Sequence, residues 1–321
     1  MNPQILSLMG IFLALILVVA GSLRGISIII LSSIAAFLVA ATGDIGLLDG
    51  YGAYLEGVAG SVTSMFPLFL GGQLLGCFLE KSGLTEAIAN AVIRRSGTRG
   101  IVVAVFTVSW LLTFCGINVF VIIFTVYPIA CAFFKVGDIP RSLIPACVLG
   151  GAVAMQTLPG MPINNIVLPA NAFGTTPMAG FWMAIAGFAI VGGGNLWYLH
   201  RAGQKYIAKG EGFIPREGDT DDVDLNTEGL PNPFLLLIPM GIVVLLLNLI
   251  HWPAWAALFI GCVVLALMFW KRYEGFHKIV NTMAEGAKNS QSVIQTAAIC
   301  GLASVVGAVP GYNLLLGLLE K

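Results

Sequence analysis

Long apolar runs, cut at short intervals by glycine, proline and small polar residues, make up most of this chain. A helix needs about 20 apolar residues to cross a hydrocarbon core. Ile5–Ala20 and Ile26–Ala41 read as the first two helices, joined by a turn carrying Arg24. A third runs from about Tyr54 to Leu79, where Pro67 and the Gly71-Gly72 pair predict a kink. Between Ser82 and Arg95, Leu84, Ile88 and Val92 share one face, the pattern of a short helix lying in the interface. Gly100 to Phe134 contains no charge and breaks near Cys115-Gly116-Ile117-Asn118. Each arm has about 14–16 residues, roughly 21–24 Å as helix, which favours a re-entrant hairpin over two full spans. Pro140 opens a helix to about Gln156, a second break covers Thr157 to Asn165, and helix resumes to about Ala172. Later spans are expected at about Met178–Leu199, Phe234–Ile250, Ala254–Trp270 and Val280–Val309.

The two breaks are the candidate chemistry. They hold two prolines, two glycines and three asparagines, and they leave peptide groups without helical partners at membrane depth. Bare backbone is tolerated there only when it is buried in protein or lines a wet cavity, and in transporters such half-helix ends hold substrate. A helix N-terminus offers free amides and about half a positive charge to an anion. The second arm, beginning near Asn118, and the continuation beginning near Asn164-Asn165 would both supply one. Asparagine amides donate to carboxylates and accept from hydroxyls or cations. Thr157 adds a hydroxyl, and Gly116 and Gly160 permit close backbone approach. The expected substrate-binding residues are therefore Gly116, Asn118, Thr157, Gly160, Asn164 and Asn165. The competing account is that the asparagines only cap broken helices.

Composition narrows the class. Of 321 residues, 58% are hydrophobic and 10% charged, far below the roughly 25% charge of a soluble domain. The chain reads as an all-α integral membrane protein, with the lipid bilayer as its surroundings. Sixteen basic and sixteen acidic residues cancel, so nucleic-acid binding has no electrostatic support. Six cysteines lie inside apolar runs without metal-ligand or disulfide spacing, and no metal or cofactor is expected. An intramembrane enzyme would need a nucleophile with a base, or paired acids. No Asp, Glu, His, Lys or Arg lies between Gly100 and Phe134 or between Ser142 and Leu199, so that class is disfavoured.

Basic residues favour the cytoplasmic side. Arg24, the Lys81–Arg99 group, Lys135 with Arg141, the Arg201–Lys209 group and the Lys271–Lys278 group all fall inside in one topology, which puts the N-terminus outside. Helix 1 then runs inward and the first span after the acidic segment runs outward, the arrangement of an inverted repeat. Glu56-Gly57, Ser61 and Gly72 recur 229 residues later as Glu285-Gly286, Ser290 and Gly301. At that offset Lys321 maps to Val92, so the second repeat is expected to be incomplete. The chain divides on this reading into scaffold helices (1–99), a transport unit (100–200), a cytoplasmic polar linker (201–231) and the start of a second repeat (232–321).

Cys115-Gly116-Ile117-Asn118, Val126-Tyr127-Pro128-Ile129-Ala130, Asp138-Ile139-Pro140-Arg141-Ser142, Leu158-Pro159-Gly160-Met161-Pro162 and Phe173-Gly174-Thr175-Thr176-Pro177 resemble the gluconate:proton symporter (GntP) family. The resemblance implies an inverted-repeat transporter with a re-entrant hairpin and a discontinuous helix, in a bacterial cytoplasmic membrane. It also implies symport of small organic acids such as gluconate or related hydroxy-carboxylates, usually with protons, and a homodimer. The gluconate carriers have histidine near the proline-glycine break, where this chain has Leu158 to Asn164 with none. Sodium held by carbonyl and amide oxygens is the alternative coupling ion, and an inert fragment or an ion channel are the alternative functions.

Overall fold

The computed structural model describes residues 3–96, 100–114, 119–214, 229–273 and 275–319. Among them every regular element is helical. In chain order these are α1 (Pro3–Leu23), α2 (Ile28–Thr42), α3 (Leu47–Lys81), α4 (Leu84–Ser96), α5 (Ile101–Phe114), α6 (Val119–Val136) and α7 (Ile144–Met155). Then follow α8 (Asn164–Ala172), α9 (Phe181–Ala208), α10 (Leu237–Asn248), α11 (Ala254–Met268), α12 (Phe276–Asn289), α13 (Ser292–Ala308) and α14 (Pro310–Leu319). Among the described residues four stretches are long and apolar enough to cross a membrane: Pro3–Leu23, Leu47–Lys81, Phe181–Ala208 and Phe276–Ala308.

Several boundaries differ from expectation for local reasons. α3 begins at Leu47, with Asp49 in its first turn, where a negative charge suits the helix dipole. α9 continues to Ala208 because Ala202 and Tyr206 pack on the apolar core although charged residues surround them. The stretch expected as one helix to Val309 is two, α12 and α13, parted at Ser290-Gln291. α14 follows them, a helix absent from the sequence reading.

The chain forms two compact units, Met1–Pro67 with Ser290–Lys321, and Leu68–Asn289. The first boundary falls at the proline inside α3. In the smaller unit α1 and α2 pack together, α2 packs on α13, and α1 on α14. Small residues allow the close approach, as is usual where lipid removes the hydrophobic drive between helices. A Cβ on Gly57 would lie 2.7 Å from Ser304 Cβ and 3.0 Å from Gly301 Cα, and one on Gly301 would lie 2.8 Å from the Tyr54 carbonyl. Ser32 Oγ and Tyr54 hydroxyl are 3.0 Å apart in this core, and the Gly311 N–H donates to Ser7 Oγ at 3.1 Å.

The larger unit is built on α5 and α7, which lie closest where Gly151 faces α5; a Cβ there would come 2.3 Å from the Phe106 carbonyl. Around them pack α6, α9, α4 and the α10–α11 pair. The end of α3 joins this core: Gly71 lies against Leu258 of α11, and the backbone of Leu74 lies against Gly286 of α12. Leu84 and Ile88 of α4, expected on the apolar face of an interfacial helix, are buried in this protein core. Exposed tryptophans lie on two helices: Trp182 in the first turn of α9 and Trp197 within it, Trp255 in the first turn of α11 and Trp270 just past its end.

Two measurements check this packing. Gly151→Val should lower stability by about 1–3 kcal/mol through overpacking against backbone that cannot yield, read as a lower melting temperature in detergent. Burial raises the Glu86 carboxyl above its ordinary 4.5, with Glu80 adding to the shift while its own backbone N–H, Arg272 and Lys81 oppose it. A raised acid binds more protons folded than unfolded, so its cost is absent below pH 4.5 and grows as pH rises through the folded value. Glu86→Gln should therefore raise the melting temperature at pH 7.5 and lose that advantage below pH 4.5.

Candidate functional site

The last turn of α7 tightens before it stops. The N–H groups of Gln156, Thr157 and Leu158 donate to carbonyls three residues back, those of Val153, Ala154 and Met155. Thr157 Oγ1 also donates to the Ala154 carbonyl, at 2.7 Å. Pro159 cannot donate, and Pro159 to Ile163 then run without helix while fully buried. Buried peptide groups need partners, and those of Gly160 find them at a distance. Its N–H donates to the Pro177 carbonyl at 2.9 Å, and its carbonyl accepts from Asn248 Nδ2 at 3.0 Å. Gly160 has φ +75°, a left-handed conformation that glycine adopts without strain. A Cβ there would lie 2.8 Å from Met178 Cε. Helix resumes at Asn164 after an extended Ile163 that gives no side-chain cap.

Four of the six expected residues therefore meet where α7 gives way to α8: Thr157, Gly160, Asn164 and Asn165. The backbone of Asn164 opens α8. Asn165 Nδ2 reaches back across the break to Gln156 Oε1, at 2.5 Å, and Asn165 is exposed. Gly116 and Asn118 lie outside the described residues. Their neighbour Phe114, at the end of α5, packs with Trp110 on Met155, Met161 and Ile163, so the first arm ends beside the second break.

Sequence reasoning missed two residues here. Asn248 closes α10 and donates to both the Gly160 and Val244 carbonyls, each at 3.0 Å. These bonds fix which end of the amide is nitrogen, and its buried Oδ1 has no partner. An asparagine in the last turn of an apolar span was the available signal. The second is Trp110, stacked on Phe188 with ring centroids 5.6 Å apart, whose buried indole N–H, like Asn248 Oδ1, has no partner among the described residues. Beside the N-terminus of α8, where the Ile166 and Val167 N–H groups already donate to the Ile163 carbonyl, the described residues of the break present one open acceptor, one open donor and no charged side chain. That set suits a hydroxylated anion or a weakly held cation better than acid–base chemistry.

The model of the GntP family permeases matches residues 3–224. The chain belongs to the GntP permease family. A Bacillus subtilis (strain 168) protein named "Uncharacterized transporter YxjC" is 34% identical over 212 residues, 65% of this chain and 45% of that protein. A Haemophilus influenzae (strain ATCC 51907 / DSM 11121 / KW20 / Rd) protein named "Uncharacterized transporter" is 26% identical over 199 residues, 61% of this chain and 44% of its own length. The chain spans about half the length of these relatives. No solved structure matches it significantly. As a member of that family it is a multi-pass membrane protein.

Removing the Asn248 amide should expose its role at the break. Asn248→Ala leaves the buried Gly160 carbonyl without its partner, a loss of about 1–3 kcal/mol. The expected result is a lower melting temperature together with faster proteolysis between Leu158 and Ile163. An unchanged melting temperature would show that the bond contributes nothing.

Proposed function

We propose that this permease is a secondary active transporter of small organic acids, such as gluconate or related hydroxy-carboxylates, and that the break between α7 and α8 contributes to its substrate site. The observation that carries the reading is the buried, non-helical Pro159–Ile163 segment, whose glycine is held from Pro177 and Asn248 while α8 opens beside it. The substrate carboxylate takes the α8 amides and Asn164, its hydroxyls take Asn165, Thr157 and Asn248 Oδ1, and Gly116 and Asn118 complete the site from the first arm. The coupling ion is a proton or sodium. Asn248 Oδ1 and Thr157 Oγ1 favour sodium, since oxygen ligands hold it without a titrating group.

The inverted repeat is part of this reading, and unit membership supports it. α3 starts at Leu47 and α12 at Phe276, again 229 apart (276 − 47). At that offset α1, α2 and the start of α3 correspond to α10, α11 and α12, while α13 and α14 correspond to the end of α3 and α4. The smaller unit combines α1, α2 and early α3 with α13 and α14; the larger combines α10, α11 and α12 with late α3 and α4. Each repeat would thus lend its last helices to the other. Residues 100–200 are the transport unit, the membrane is the bacterial cytoplasmic membrane with the N-terminus outside, and the assembly is a homodimer.

Reconstituted protein loaded into proteoliposomes should accumulate labelled gluconate or lactate under an imposed proton or sodium gradient. Asn118→Ala and Asn164→Ala should each lower that uptake about tenfold, the loss expected for one hydrogen bond to a charged group. Uptake at the unsubstituted rate in both variants removes the site.

A further inference from the structure

The corner where α11 gives way to α12 is docked on the turn between α3 and α4. The Tyr273 hydroxyl donates to the Phe78 carbonyl at 2.7 Å, and its ring stands edge-on to Phe78 with centroids 5.5 Å apart. The Arg272 N–H donates to the Phe269 carbonyl at 2.8 Å. The backbone of this corner is thus held, while the Arg272 side chain is exposed.

Two acceptors lie within reach of that side chain. Its Nη1 donates to the Gly229 carbonyl at 2.6 Å. Gly229 leads into the short helix Pro233–Leu236, which Asn232 caps at 3.1 Å and which packs on α4. Its Nη2 lies over Gly83, where a Cβ would come within 2.8 Å of it. The Gly83 carbonyl accepts from the Ala87 N–H at 3.0 Å as α4 begins, and Glu86 follows Gly83 by three residues, the spacing of neighbours on one helix face. The guanidinium therefore stands about one turn from the Glu86 carboxyl. Glu86 Oε2 is nonetheless buried without a partner, so the two are near but unjoined.

Glu86 lacks a cation of its own. Burial raises its carboxyl, Glu80 adds to the effect, and its own backbone N–H, Arg272 and Lys81 oppose it. Lys81 is paired with Glu285 at 3.4 Å. α5 and Pro233–Leu236, which also pack on α4, have no titratable side chain, and Arg94 and Arg95 of α4 itself come about two turns later. Arg272 is the cation that remains. A guanidinium holds a carboxylate more tightly than a neutral carbonyl, and a carboxylate forms only once the acid has lost its proton.

We propose that Arg272 is a two-position latch, holding the Gly229 carbonyl while Glu86 is protonated and crossing to the Glu86 carboxylate once it ionises. The proton leaves to solvent, no other group changes charge, and the chain ahead of Pro233 is let go. This is a pH sensor whose bistable element is one side chain. It is independent of the transport reading, because it requires no substrate.

A nitroxide on Leu230→Cys reads the latch. Cys77, Cys131, Cys147 and Cys262 are buried, and the unsubstituted protein gives the blank for labelling at native cysteines. In detergent, from about pH 4 to about pH 9, the spectrum should pass from immobilised to mobile as pH rises, with a midpoint above the ordinary 4.5. The ratio of immobilised to mobile label should fall about tenfold, as for losing one hydrogen bond from a charged group. Glu86→Gln, which cannot ionise, should keep the label immobilised throughout. Arg272→Gln should leave it mobile throughout, and Arg272→Lys, which keeps the charge without the fork, should restore part of the response. Hydrogen exchange over residues 229–236, compared at each pH between the unsubstituted protein and Glu86→Gln, gives the same comparison should the reporter fold poorly. At about pH 8 it should be about tenfold faster in the unsubstituted protein. The proposal is overturned by a label whose mobility ignores pH, by a response that survives Glu86→Gln, or by a label still immobilised after Arg272→Gln.

Discussion

A peptide group withdrawn from a helix and kept away from water must be bonded from somewhere else. In this permease that requirement falls on Gly160. Proline on one side and a left-handed turn on the other prevent its N–H and carbonyl from joining either α7 or α8. Pro177 supplies an acceptor from the start of the next span, and Asn248 supplies a donor from a helix 88 residues away. The break is therefore held as a junction of three parts of the chain. These bonds carry no net charge, so the junction is held without an ion pair.

The same economy recurs elsewhere in the two units. Helices approach through glycine and serine, as at Gly57 with Gly301 or Gly151 with Phe106, because lipid offers no hydrophobic reward for bringing them together. Polar side chains inside the units are mostly turned back on their own helices: Ser109 on Val105, Thr113 on Ser109 and Thr282 on Lys278. Among the described residues, buried atoms of Gln73, Thr85, Glu86 and His200 lack partners, as do those of Asn248 and Trp110; of these, Asn248 and Trp110 lie beside the break.

Periodicity and breakers made much of this legible. Proline-glycine chemistry marked the end of α7 and the start of α8 within two residues, since those constraints are local. The apolar face of α4 was readable from Leu84 and Ile88. What escaped the sequence was non-local. Nothing in the residues around Asn248 says that its amide turns toward Gly160, and nothing in Ser290-Gln291 marks a helix end as clearly as proline would. Charged residues concealed the last two turns of α9, where Tyr206 packs inward between Arg201 and Lys209. Arg141 was readable as a basic residue on a loop, but its pairing with Tyr127 depends on how α6 and α7 meet.

The make-up of the smaller unit bears on how the protein is made. α1 and α2 leave the ribosome early, yet the helices they pack against, α13 and α14, begin about 250 residues after α2 ends (292 − 42). At about 5–20 residues per second, the first two spans wait on the order of 12–50 seconds in the lipid with the faces that α13 and α14 later cover left open. During biogenesis that surface is the natural place for an insertase or membrane chaperone to stand in until the closing helices arrive.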